Sequence, residues 1–106
     1  MLERVFQLLL IRRIKIDLPG SVVLKNDPNY IQGFPDLIIL FATRWGVLEV
    51  KPHLDAPFQP NQEYYLEKLG RMSYAGVICP ENEEEVLREL YESLTAPRET
   101  RLPERK

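Results

Sequence analysis

The sequence predicts an α/β domain built on a mixed central sheet flanked by helices. Three observations carry that reading. Apolar residues recur at helical spacing near the start of the chain and again over residues 82–94. Two apolar runs of strand length, residues 37–41 and 74–79, lie between them. The link between residues 37–41 and the next β-rich run, residues 47–51, is short enough to imply an antiparallel hairpin.

In chain order, residues 1–13 place Val5, Leu8 and Leu9, with neighbouring Leu10 and Ile11, on a helix. Pro19-Gly20 breaks the chain. Residues 21–25 form a short β-rich run, and Asn26-Asp27-Pro28-Asn29 is a turn cluster. Residues 37–41 are continuously apolar, as in a strand buried on both faces. Trp45-Gly46 is assigned to the turn before the next strand, residues 47–51. Residues 52–59 form a Pro-interrupted loop, and Pro60 is suited to the first position of a helix. That helix carries Tyr64, Tyr65, Leu66 and Leu69, and Gly70 is its natural stop. A third buried strand follows over residues 74–79. Asn82 then caps a last helix, with Glu85 as its reciprocal capping partner. Val86, Leu87, Leu90 and Leu94 form the stripe of that helix. A folded domain over residues 1–95 and a disordered, Pro- and charge-rich tail over residues 96–106 are the expected division.

A chain of 106 residues has room for one core. Its 44% hydrophobic and 28% charged content is that of a globular protein. No apolar run approaches the length of a membrane span, and Met-Leu-Glu-Arg does not open a signal peptide. The single Cys79 excludes an internal disulfide and suits a reducing compartment. The expectation is a cytoplasmic protein, in the host cytoplasm if it is phage-encoded. The net charge of −2 hides an asymmetry. Residues 1–52 hold seven Lys and Arg against five Asp and Glu, whereas residues 53–95 hold three against nine. A nucleic-acid face would belong to the first half and the tail; evenly mixed solvated surfaces are the alternative.

The residues that carry chemistry are Pro35-Asp36 and Glu49-Val50-Lys51. Asp36 opens the first strand of the hairpin. On the second, Glu49 and Lys51 share a face and Val50 points into the core. Two carboxylates from adjacent strands make a hard oxygen site suited to Mg²⁺, which takes one or two protein carboxylates and fills its octahedron with waters and phosphate oxygens. Such a cation offsets phosphate charge and lowers the pKa of bound water. A lysine on the same face would position the attacking water or serve as base. The alternative is a surface Glu49–Lys51 ion pair on an edge strand.

Together with their neighbours, these residues resemble the virus-type replication–repair nuclease domain (VRR-NUC), particularly its short stand-alone phage-type members, within the PD-(D/E)XK superfamily. Gly33-Phe34-Pro35-Asp36 is similar to the family's Gly-x-Pro-Asp, and Glu49-Val50-Lys51 to its Glu-x-Lys. Glu3 falls where the family has a glutamate in its first helix. Residues 20–25 match the glycine-to-lysine strand segment, and Gln62 matches a glutamine on the helix after the catalytic strand. Phe34 departs from the family's smaller residue. The resemblance implies a PD-(D/E)XK (restriction-endonuclease-like) fold. It implies that Asp36, Glu49 and the Val50 carbonyl bind Mg²⁺ or Mn²⁺, that Lys51 positions or activates water, that Glu3 lies near the metal, and that Gln62 supports the site. The implied activity is a metal-dependent endodeoxyribonuclease, structure-selective on branched DNA such as a Holliday junction and acting as a homodimer. The helix of Tyr64 and Tyr65 would supply core or dimer contacts. The competing expectation is a catalytically weak or inactive module on the same fold that binds nucleic acid or protein.

Several other residues admit two readings. Arg12, Arg13 and Lys15 either grip phosphates or are a solvated helix end. Lys25 either contacts phosphate or is a solvated strand lysine. His53 has no His or Cys partner at metal spacing and reads as a loop residue. Cys79, without a histidine partner, reads as core.

Overall fold

The computed structural model describes residues 2–97. The elements follow one another as α1 (Glu3–Asp17), β1 (Val22–Lys25), β2 (Leu37–Phe41), β3 (Arg44–Val50), α2 (Gln62–Met72), β4 (Tyr74–Ile78) and α3 (Glu83–Thr95). The expected disordered tail lies, from residue 98 on, outside the described residues.

The four strands form one sheet in the order β1-β2-β3-β4. β1 pairs with β2 and β2 with β3 antiparallel, whereas β3 and β4 run parallel. A parallel pair needs a crossover, and the loop after β3 together with α2 supplies it. The result is an α/β architecture with a mixed sheet flanked by helices.

The two sides of the sheet have different roles. Leu37 and Ile39 of β2, Leu48 and Val50 of β3, and Ile78 of β4 face Phe6, Leu10 and Ile14 of α1 and Val86, Leu87, Leu90 and Leu94 of α3. This apolar layer is the main core, and burying it drives folding. Gly46 lets α3 approach, because a Cβ there would lie 2.8 Å from Leu90 Cδ1. Arg13 ties the two helices together, donating to Glu83 at 2.7 Å and to Glu84 at 2.6 and 2.8 Å. It is therefore engaged within the fold rather than offered to a phosphate.

α2 lies on the opposite side, where a Cβ added at Gly70 would meet Ala75 of β4 at ordinary contact distance. That side of β3 carries Val47 and Glu49, followed by Lys51, all buried. Two of these three are charged, so this layer holds the site rather than the core.

Several local features differ from the sequence expectation. α1 runs on to Asp17. β2 is not buried on both faces: Leu40 is 38% exposed, because α2 covers β4 and leaves the β1–β2 end of its layer open. The hairpin turn is Ala42-Thr43, with Ala42 at φ 55°, and Trp45-Gly46 belongs to β3. Alanine does not advertise a positive φ, and the glycine that drew the assignment serves packing against Leu90. Pro60 precedes the helix rather than opening it: Asn61, at φ 72°, is the N-cap. α2 also passes through Gly70 to Met72 and stops at Ser73, whose hydroxyl donates to the Trp45 carbonyl. Asn82 does precede α3, but its side chain makes no cap bond to that helix. It accepts from Cys79 N and donates to Val77 O, bracing the end of β4 instead. The apolar stripe of α3 is as expected. Among the described residues no helix is long and apolar enough to cross a membrane.

Candidate active site

The β2–β3 register sets the site. Leu37 pairs with Leu48, so one step further Asp36 comes opposite Glu49. Directly opposed residues point to one face of a sheet, and Lys51, two residues past Glu49, shares it. Val50 alternates to the other face, where its side chain is wholly buried. The predicted grouping of Asp36, Glu49, Val50 and Lys51 is therefore present.

Asp36 is fixed from both flanks. Its Oδ2 accepts from Val50 N at 2.8 Å, and its carbonyl accepts from Asn26 N at 2.9 Å. The Asn26 side-chain amide also donates to the Pro35 carbonyl. The sequence assigned Asn26 to a turn, and its bracing role leaves no signature in residue type.

Gln62 links the other two groups. Its Nε2 donates to Glu49 Oε2 at 2.9 Å, and its Oε1 accepts from Lys51 Nζ at 2.7 Å. Gln59 N also donates to that Oε1 at 2.7 Å, holding the amide in one orientation. Lys51 Nζ donates in addition to the Pro57 carbonyl at 3.0 Å and lies 3.9 Å from Glu49 Oε2. The Phe58 ring sits beneath it, 5.5 Å away. The sequence identified Lys51 and Gln62 but missed Pro57, Phe58 and Gln59, because a loop carbonyl, ring or amide becomes a partner only through the path of the loop.

Gly33 seats this arrangement. It adopts φ 87°, and a Cβ there would lie 2.6 Å from Asn61 Cβ. The Gly33–Asp36 segment can thus press against the start of α2, the turn that carries Gln62. Phe34 reinforces the contact by packing on Tyr65, with ring centroids 5.4 Å apart. Tyr64 stacks edge-on against Tyr65 but is 59% exposed, so it is not core.

Electrostatically the pair of carboxyls is unsettled. Glu49 is 3% exposed, and its Oε1 is buried without a hydrogen-bond partner among the described residues. Burial first, then the Asp36 charge, pushes the Glu49 carboxyl up to about 8, against the pull of Lys51. Burial also raises Asp36, opposed by the Val50 N–H and the neighbouring lysines. With no donor bridging them, buried Glu49 and half-buried Asp36 are relieved of their mutual repulsion by sharing a proton or by taking a cation. A hard divalent cation fits this need, since it requires oxygen ligands and only one or two carboxylates from the protein.

Glu3 lines the same cleft, of about 340 Å³, at its α1 side. Its carboxyl is raised by partial burial and by Asp36. Among the described residues, however, no three carboxylate, imidazole or thiol groups converge as a cation cage. Glu3 thus stands near the pair rather than joined to it. His53 is an exposed loop residue bonded to Asp55 at 2.7 Å. Cys79 is buried, and burial pushes its thiol up, away from nucleophilic reactivity.

No protein-family model matches the chain, and no similar protein was found among curated proteins or solved structures.

Proposed function

We propose that the protein is a metal-dependent endodeoxyribonuclease of the PD-(D/E)XK type, resembling stand-alone VRR-NUC domains and selective for branched DNA as a homodimer. The observation that carries this reading is the pairing of half-buried Asp36 with buried Glu49, one of whose oxygens has no partner among the described residues, beside a buried lysine on the same face. A buried carboxyl and a buried lysine seldom serve stability, because apolar groups of the same volume serve that end as well or better.

Asp36, Glu49 and the Val50 carbonyl would hold Mg²⁺ or Mn²⁺, which when bound offsets phosphate charge and lowers the pKa of water. Lys51 is held by Gln62 and Pro57, which fixes its ammonium over the cleft. From there it orients the attacking water and faces the charge that grows on the phosphoryl oxygens. Gln62 keeps Glu49 and Lys51 apart yet aligned, and so sets the ligand's direction as outer partners of metal sites do. Glu3 contributes through water at the cleft rim. Bond formation from the water oxygen to phosphorus accompanies rupture of the bond to the leaving sugar oxygen.

The reading is tested by incubating a labelled four-way DNA junction, and separately a linear duplex, with the protein in Mg²⁺, Mn²⁺ or EDTA. Metal-dependent cutting of the junction, lost in Lys51→Ala, is expected. A protein that leaves both substrates intact while still binding them would instead be a binding module on this fold.

A further inference from the structure

We propose that the groove between the start of α1 and the end of β1 binds a second DNA phosphate, distinct from the one cut, through the Gln7 side-chain amide, Arg4 and Lys25. This inference rests on the nuclease reading of the neighbouring cleft. The groove has a volume of about 410 Å³. Glu3 and Asp36 line both it and the carboxylate cleft, so the two are continuous. A strand lying across Asp36 and Glu49 therefore has a path into it.

Gln7 is the informative residue. It is only 9% exposed, yet among the described residues its side-chain amide has no hydrogen-bond partner. Its amide atoms are open to the groove rather than sealed in the core, although a leucine would suit a position flanked on α1 by buried Phe6 and Leu10. The amide lines the groove, where its N–H groups can meet an acceptor oxygen. Arg4 and Lys25 stand exposed on the same groove, and neither is in an ion pair among the described residues. This contrasts with Arg13, which is occupied by glutamates of α3.

The first turn of α1 adds to the pull on an anion. Its N-cap, Leu2, has no side chain able to cap the helix. The first-turn N–H groups of this 15-residue helix thus lack a side-chain cap, and the helix dipole favours an anion near them. An amide donor, two cations outside any ion pair and a helix N-terminus outweigh the Glu3 and Asp36 carboxylates on the shared wall and form an anion site. Its continuity with the cutting cleft identifies that anion as another phosphate of the same DNA.

The test is fluorescence anisotropy with a labelled four-way junction and a labelled duplex, in Ca²⁺ and again in EDTA. Gln7→Leu is expected to weaken binding roughly tenfold, as loss of a hydrogen bond to a charged group does, while its Tm stays equal or rises. Gln7→Glu, nearly the same shape, should weaken binding further because a carboxylate would face the phosphate. Lys25→Gln should lower the salt dependence of binding by about one charge. DNA binding unchanged in Gln7→Leu and Gln7→Glu would overturn the proposal, as would failure of the intact protein to bind DNA in either condition. If these variants bind and cut as the intact protein does, the subsite fails and the nuclease stands. If they weaken binding as described but no metal supports cutting, the subsite stands and the nuclease reading fails.

Discussion

Gln62 donates its side-chain amide to Glu49 Oε2 at 2.9 Å, so the first turn of α2 controls a carboxylate on the central strand. The same amide accepts from Lys51, which makes one neutral residue the spacer between an acid and a base. Gln62→Ala should therefore reduce metal-dependent DNA cutting roughly 10–100-fold, the usual effect of removing a partner outside a metal's own ligands. Single-turnover rates measured over a Mn²⁺ series would show it. Gln62→Glu, which adds a third carboxyl beside Glu49, should be worse than Gln62→Ala.

The pH dependence of stability follows from Glu49. Its folded carboxyl titrates at about 8 against an ordinary value of 4.5. Between those values the native state holds a proton that the unfolded state has released, so stability falls as pH rises. The stabilisation is fully present below about pH 4.5 and is lost as pH passes through about 8. The slope from this group is at most about 1.4 kcal/mol per pH unit. Chemical denaturation of the metal-free protein from pH 5 to pH 9 should show the decline attributed to this group. Saturating Mg²⁺ should flatten it, because a cation replaces the shared proton.

Asp36→Asn separates function from stability. The new side-chain oxygen can still accept the Val50 N–H, but the charge beside Glu49 is gone. Metal-free Asp36→Asn should melt above the intact protein at pH 8, near where Glu49 titrates, and should not cut DNA. A raised Tm with lost activity is the mark of a site that trades stability for chemistry. A lowered Tm would mean that Asp36 serves the fold.

Gly33 links the Asp36 loop to α2. Gly33→Ala puts a Cβ at a φ of 87°, 2.6 Å from Asn61 Cβ and 2.7 Å from both the Asn61 backbone carbon and the Pro60 carbonyl oxygen. Two backbone neighbours leave little room for relief, so a loss of about 1–3 kcal/mol is expected in urea unfolding. Cutting should fall further than stability alone would explain, because Asp36 and Gln62 are displaced relative to each other.

The apolar pattern made much of this legible. β2 was placed residue for residue, the hairpin followed from the short link, and the stripe on α3 matched its buried residues. The shared face of Glu49 and Lys51 needed only strand periodicity. Glycine and proline misled. Gly46 sits where α3 approaches the sheet, so a signal that reads locally as punctuation has a tertiary cause, whereas α2 runs through Gly70 and begins two residues after Pro60. Asn82 looked like a helix cap but serves β4, since a short polar side chain takes whichever backbone group is nearer. Gln7 was passed over because a glutamine on an apolar helix carries no pattern until its burial is known.

The most direct measurement is calorimetric titration of Mn²⁺ into the metal-free protein at pH 7, with Asp36→Asn and Glu49→Gln alongside. Binding by the intact protein, lost in both variants, is expected. Proton release into the buffer should accompany binding, because a Glu49 carboxyl pushed up to about 8 gives up its proton when the cation binds. Mn²⁺ binding that persists in both variants, or no binding at all, would contradict the claim that Asp36 and Glu49 form a metal site.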